Sequence, residues 1–98
     1  MSAYILFDNL TVTSPEDLAT YKSKVGEVVE KYQGKYLVLG GKTRVLEGSA
    51  TPSYLVMIQF PGFEMAENWY DSDEYKELKA LRLSATTSTG VIMEGLPG

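Results

Sequence analysis

The chain predicts an α+β fold in which four antiparallel strands form one sheet, its helices lie on a single face, and the element order is βαββαβ with the second helix broken in two. Three observations predict it. Extended apolar runs occur at Ala3 to Val12, Lys35 to Glu47, Tyr54 to Phe60 and Ser88 to Glu94. An apolar stripe of helical period runs from Leu18 to Tyr32, and two shorter ones fall between Phe63 and Arg82. Turn residues punctuate these segments at Thr13-Ser14-Pro15, Gly34, Gly48 to Ser53 and Pro61-Gly62.

The first run is rich in Tyr, Ile, Leu, Phe and Val, residues that fit a pleated surface, and it stops at Thr13-Ser14-Pro15. A helix then starts at once. Ser14 is an N-cap, Pro15 suits the first helical position, and Glu16 and Asp17 put negative charge in the first turn, with Asp17 as a shortened capping-box partner. Leu18, Tyr21, Val25, Val28, Val29 and Tyr32 share one face, which is the buried one. Glu27 and Lys31 stand i,i+4 on the outside, and Gly34 is the expected left-handed cap. Gly26, inside the helix, costs about 1 kcal/mol relative to Ala, which suggests close packing there.

Lys35 to Glu47 reads as one long strand bent at Gly40-Gly41, forming an antiparallel hairpin with Tyr54 to Phe60. A short helix after Gly62 aligns Phe63, Ala66, Trp69 and Tyr70. Ser72 caps a second one, with Asp73 and Glu74 in its first turn and Tyr75, Leu78 and Leu81 along a face. Ser88 to Glu94 is the last strand, and Gly95 to Gly98 is a disorder-prone tail. This order is the ferredoxin-like split βαβ arrangement. Both faces of the strands are apolar: Tyr54, Val56, Ile58 and Phe60 point one way, Leu55 and Met57 the other. Two helices cover only one face, so the other predicts a second copy of the chain, a homodimer.

Composition narrows the function. The 98 residues are read as a single domain over 1–98, and 44% apolar with 22% charged residues is a folding composition rather than a disordered one. A net charge of -4 with only nine Lys and Arg argues against nucleic-acid partners, which need concentrated basic surface. No apolar run approaches the ~20 residues of a membrane helix, so no membrane partner and a cytoplasmic location are expected. With no Cys and no His, thiolate nucleophiles, imidazole bases and the usual zinc and haem ligation are missing. No metal and no cofactor are expected, and any catalysis would rest on carboxylate, Tyr, Lys, Arg, Ser or Thr, or else on a bound cofactor.

The segments TSPEDLATYKSKV, KYQGKYLVLGGKTRVLEG, the FPGF turn, NWYDSDEYKELKALR and the closing VIMEG, taken in this order and spacing, resemble the domain-of-unknown-function 1330 family of the dimeric α/β-barrel superfamily, over about Ala3 to Gly95. The resemblance implies a ferredoxin-like protomer whose sheet packs against a twin to close a barrel, and it implies no settled activity. Superfamily relatives include haem-degrading and quinone-forming monooxygenases, muconolactone isomerases and haem enzymes, a range too wide to assign a reaction. The family commonly has Glu-Phe-Pro at the end of its third strand. This chain has Gln59-Phe60-Pro61, so a carboxylate acting there in relatives is absent.

Candidate site residues concentrate between Phe60 and Arg82. Arg82 lies two helical turns after Tyr75 on the apolar face, where a guanidinium needs a partner. That partner is either a carboxylate, phenolate or enolate oxygen of a ligand, or an internal ion pair with Glu94, Glu47 or Asp8. A third option is a side chain that snorkels to water. Trp69 and Tyr70 could stack on a planar ligand, with Tyr70 or Tyr75 supplying a hydroxyl, or serve as core and dimer contact. Glu94 is the candidate base, and Ser72 is a cap rather than a nucleophile. Two functions stay open: a pocket between helices and sheet that binds or transforms a small aromatic or oxo-acid molecule without a cofactor, with Arg82 on its oxyanion and Tyr75 donating, or a non-catalytic binding or structural module in which the same residues build core and interface.

Overall fold

The computed structural model describes residues 1–97. The elements run β1 (Ala3–Val12), α1 (Pro15–Lys31), β2 (Lys35–Leu39), β3 (Leu55–Phe60), α2 (Phe63–Tyr70), α3 (Asp73–Ala85) and β4 (Thr86–Glu94). The strands form one antiparallel sheet in the order β2-β3-β1-β4, the predicted α+β, ferredoxin-like arrangement. Register decides which side chains share a face. Ile5 stands opposite Ile58 and Ile92, and Phe7 opposite Val56 and Gly90, so these residues turn together toward the helices. Ala3, Ile5, Phe7, Val56, Ile58 and Phe60 are buried there under Leu18, Tyr21, Val25 and Val29 of α1 and Ala66, Trp69 and Tyr75 of α2 and α3.

The local signals explain most boundaries. The Ser14 side chain accepts from the Asp17 amide, whereas the Ser14 amide bonds Ala85 O at 3.2 Å, so Asp17 does not close the reciprocal box. Ser72 caps α3 by accepting from the Tyr75 amide at 3.1 Å. At the end of α1 the left-handed residue is Gln33 (φ 65), not Gly34. Gly34 is required for another reason: a Cβ there would lie 2.6 Å from Val29 Cγ1 and 2.8 Å from the Phe60 ring. Lys31 leaves Glu27 and crosses to α3, where it pairs with Glu74, to which Tyr32 also donates at 2.7 Å.

Two extended segments differ from expectation. The second strand ends at Leu39 instead of reaching Glu47, because Gly40 (φ 66) and Gly41 (φ 93) turn the backbone out of the ladder. Gly40 also packs against Tyr54, whose ring would meet a Cβ at 2.5 Å. The last strand begins at Thr86, directly after α3, two residues earlier than the sequence pattern suggests. In the tail, the Gly95 amide bonds Ser2 O at 2.7 Å, and Gly98 lies outside the described residues.

Gly26 is not closely packed, since nothing lies within 4 Å of the position of a Cβ. Gly26→Ala is therefore expected to stabilise the protein by about 0.5–1 kcal/mol, a gain measurable by urea denaturation. The opposite sheet face carries half-buried Tyr4, Leu6, Leu55 and Met57, together with exposed Val38, Val91 and Met93, and no helix among the described residues covers it.

Candidate functional site

Arg82 is the centre of the candidate site. It sits in the last turn of α3 and is only 3% exposed, so its guanidinium lies between α3 and the sheet. Nε donates to the Tyr75 hydroxyl at 3.3 Å and Nη1 to Ser88 Oγ at 2.8 Å, while the guanidinium carbon stands 4.5 Å from the centre of the Phe7 ring. Among the described residues no carboxylate pairs with it; the ion pair found there is Lys31 with Glu74.

The three acids considered as internal partners are engaged or placed elsewhere. Asp8 accepts from the Ser53 and Tyr54 amides, both at 3.1 Å, and so anchors the entry to β3. Glu47 is exposed in the loop before β3. Glu94 is exposed opposite Ala3, whereas Ser88, which meets Arg82, is opposite Asn9. Six residues of strand separate Glu94 from Ser88, about 20 Å, so Glu94 does not converge with Arg82.

Two cavities flank Phe7 and Arg82. The first, about 220 Å³, lies beneath α1 and is lined by Leu18, Tyr21, Val25, Tyr36, Tyr54 and Ile58 among others, with Asn9, Lys22 and Gly26 on its wall. The second, about 240 Å³, lies between α3 and β4 against Tyr70, Leu83, Ser88 and Gly90. Gly90 lets the Phe7 ring lie directly against β4, because a Cβ there would approach that ring to 2.7 Å.

The residues singled out in the sequence divide accordingly. Arg82 faces both cavities and Tyr70 the second. Tyr75 is fully buried behind Arg82, its hydroxyl 2.9 Å from that of Tyr21. Trp69 is sealed in the core, its ring centre 4.2 Å from that of Tyr75 and 5.6 Å from that of Phe60, and its Nε1 has no partner. Neither Trp69 nor Tyr75 lines either of these two cavities. Sequence reasoning missed Tyr21, Tyr36, Tyr54 and Lys22 as cavity walls. The available signal was a hydroxyl-bearing Tyr21 set between Leu18 and Val25 on the buried helix face, followed by Lys22, whose Nζ lies 4.9 Å from the centre of the Tyr54 ring.

Arg82 brings positive charge to the wall of the first cavity. Burial works against the charge of Arg82, but the Tyr75 and Tyr21 oxygens around it offset this and hold its pKa above the ordinary value. Burial also raises the phenol of Tyr21, reinforced by Tyr75, that of Tyr36 to about 12, and that of Tyr75 despite the opposing Arg82. Each of these groups is neutral at physiological pH and available as a hydrogen-bond donor. Since their folded values are raised, the associated stability is fully present below about 10, where an exposed tyrosine titrates, and is lost as the pH climbs toward the folded values. Denaturation midpoints are expected to hold from pH 7 to 9 and to fall above pH ~10, with tyrosinate absorbance appearing as the protein unfolds.

Comparison with known proteins places this geometry in a family. Residues 2–96 match the family described as Domain of unknown function (DUF1330). No curated protein matches the sequence. Among solved structures, the fold is similar to that of a protein of unknown function from Rhodopseudomonas palustris (TM-score 0.74, 18% identity, covering 99% of this chain and 84% of that one). It is also similar to a dimeric ferredoxin-like protein of unknown function from Jannaschia sp. CCS1 (TM-score 0.71, 8% identity, covering 97% and 100%). SnoaB, a cofactor-independent oxygenase from Streptomyces nogalater, is a more distant likeness (TM-score 0.58, 8% identity, covering 99% and 93%).

Proposed function

We propose, from the premise that the chain belongs to the domain-of-unknown-function 1330 family, that it binds a compact aromatic or oxo-acid anion in the cavity beneath α1, and that it does so as a homodimer. The observation that carries this reading is Arg82, a buried guanidinium that faces the cavity without a carboxylate partner among the described residues. Leaving a charge buried and unpaired is costly, and a ligand oxyanion would supply the missing countercharge. The walls suit such a molecule: Phe7, Tyr21, Tyr36 and Tyr54 make them largely aromatic, and Lys22 adds a second cation. The same donors would stabilise an enolate or phenolate, so cofactor-independent chemistry on the bound anion is the natural extension. The likeness to SnoaB supports only the capacity of the fold for that chemistry.

The homodimer rests on the uncovered apolar face of the sheet and on the dimeric state of the Jannaschia protein. Calorimetric titration tests the ligand. Benzoate and phenylpyruvate are expected to bind and neutral benzamide is not, and the absence of binding by both anions at millimolar concentration refutes the reading. Light scattering at micromolar concentration is expected to give the mass of two chains.

A further inference from the structure

Arg82, Tyr75 and Tyr21 form a chain of hydrogen bonds with a direction. A guanidinium only donates, so in the 3.3 Å contact from Arg82 Nε the Tyr75 oxygen must be the acceptor. The next contact, 2.9 Å between the Tyr75 and Tyr21 hydroxyls, can hold one hydrogen contributed from either side. Their surroundings decide which. Tyr75 is fully buried and lines neither of the two cavities, and among the described residues its hydroxyl meets only Arg82 and Tyr21. Were Tyr21 the donor, the Tyr75 hydrogen would be left without an acceptor in a dry site. With Tyr75 as donor, both of its roles are satisfied, and the hydrogen left over belongs to Tyr21, which does line the cavity.

We infer that Tyr21 is a ligand-binding residue whose hydroxyl hydrogen is directed into the cavity beneath α1 by a relay from Arg82 through Tyr75, so that the site takes an anion with two neighbouring oxygen acceptors, such as a carboxylate, a 2-oxo acid or its enolate. One oxygen meets the guanidinium of Arg82 and the other the hydroxyl of Tyr21. Tyr75 touches no ligand and is a positioning residue. The relay also polarises the outgoing hydroxyl, because each donation into an oxygen makes its own hydrogen a better donor. The choice of ligand class rests on the anion-binding reading above; the direction of the relay does not.

Hydroxyl hydrogen exchange, read by NMR on protein labelled with 13C at the tyrosine ζ carbon, tests the relay without any ligand. The Tyr75 hydrogen, held between two oxygens, is expected to exchange at least about tenfold more slowly than the Tyr21 hydrogen. Equal rates, or the reverse order, overturn the inference. Benzoate titrations then separate the two readings. Tyr21→Phe is expected to weaken binding about five- to tenfold, Tyr75→Phe to weaken it comparably although it does not reach the cavity, and the double variant to be no worse than Tyr21→Phe alone. Unaltered affinity in Tyr75→Phe, when Arg82→Met has lost binding, sinks the relay and leaves the anion site standing. Unaltered affinity in Arg82→Met sinks the anion site itself, and the exchange rates still decide the relay.

Discussion

Arg82→Met is expected to stabilise the protein by about 1–3 kcal/mol while removing anion binding. Methionine keeps the length and apolar stem of the side chain and deletes the charge, whose desolvation has no ionic compensation among the described residues. Part of the gain is offset by losing the contact with the Phe7 ring and the hydrogen bonds to Tyr75 and Ser88; the half-buried Ser88 hydroxyl can turn toward water, whereas that of Tyr75 keeps only its bond with Tyr21. A rise in the urea midpoint together with loss of benzoate binding is the expected pair of results, the signature of a site maintained at the expense of stability. A loss of several kcal/mol would instead identify Arg82 as a structural element of the core. Arg82→Lys is expected to retain stability near the parent and to bind less tightly, because an ammonium on a flexible stem cannot reproduce the planar fork that reaches Tyr75 and Ser88 together.

Trp69→Ala is expected to cost about 3–5 kcal/mol, a large share of what a domain of this size possesses. Trp69 is fully buried and its ring lies between Phe60 and Tyr75, with Phe7 and Tyr70 at edge-on distances of 6.3 and 6.1 Å. Removing it leaves a void among aromatic rings too rigid to close it. Trp69→Phe separates packing from hydrogen bonding: the indole Nε1 has no partner, so deleting it forfeits no bond, and the loss is expected to be well below that of the alanine variant. Thermal denaturation of both variants checks the order. Because Trp69 touches Tyr75 rather than a cavity, its fluorescence reports a ligand only through the relay behind Arg82.

The strands and helices were legible because their signals are local. Ser14-Pro15 and Ser72 with its two following acids satisfy helix N-termini with groups a few residues away, and the alternation in Leu55 to Phe60 follows from the pleat. The end of β2 was less legible. A Gly-Gly pair inside an extended run permits either a bulge or an exit from the sheet, and what decided the matter was the Tyr54 ring lying against Gly40. The same holds for Gly34 and Gly26, alike as letters. One is pressed by Val29 and Phe60, and the other faces open space.

The candidate site was half legible. Spacing alone brought Arg82 and Tyr75 together on one helix face, and the structure joins them by a hydrogen bond. Spacing could not supply Tyr21, Tyr36 or Tyr54, which come from α1, the second strand and the entry to the third, and meet only when the sheet and helix pack. Nor could it exclude Glu94, since an acid near the end of a strand reads the same whichever end of the sheet the arginine occupies.

By itself the sequence determined the element order, the helix that carries Arg82, the apolar character of both sheet faces, and the absence of thiol and imidazole chemistry, because periodicity, capping and composition are properties of neighbouring residues. Only the tertiary structure decided that Arg82 has no carboxylate beside it among the described residues, that Trp69 belongs to the core, and that the tyrosine hydroxyls line up from Arg82 to the cavity. Those facts depend on distances between residues as many as 54 positions apart, which the close packing of helices on the sheet sets and no local pattern encodes.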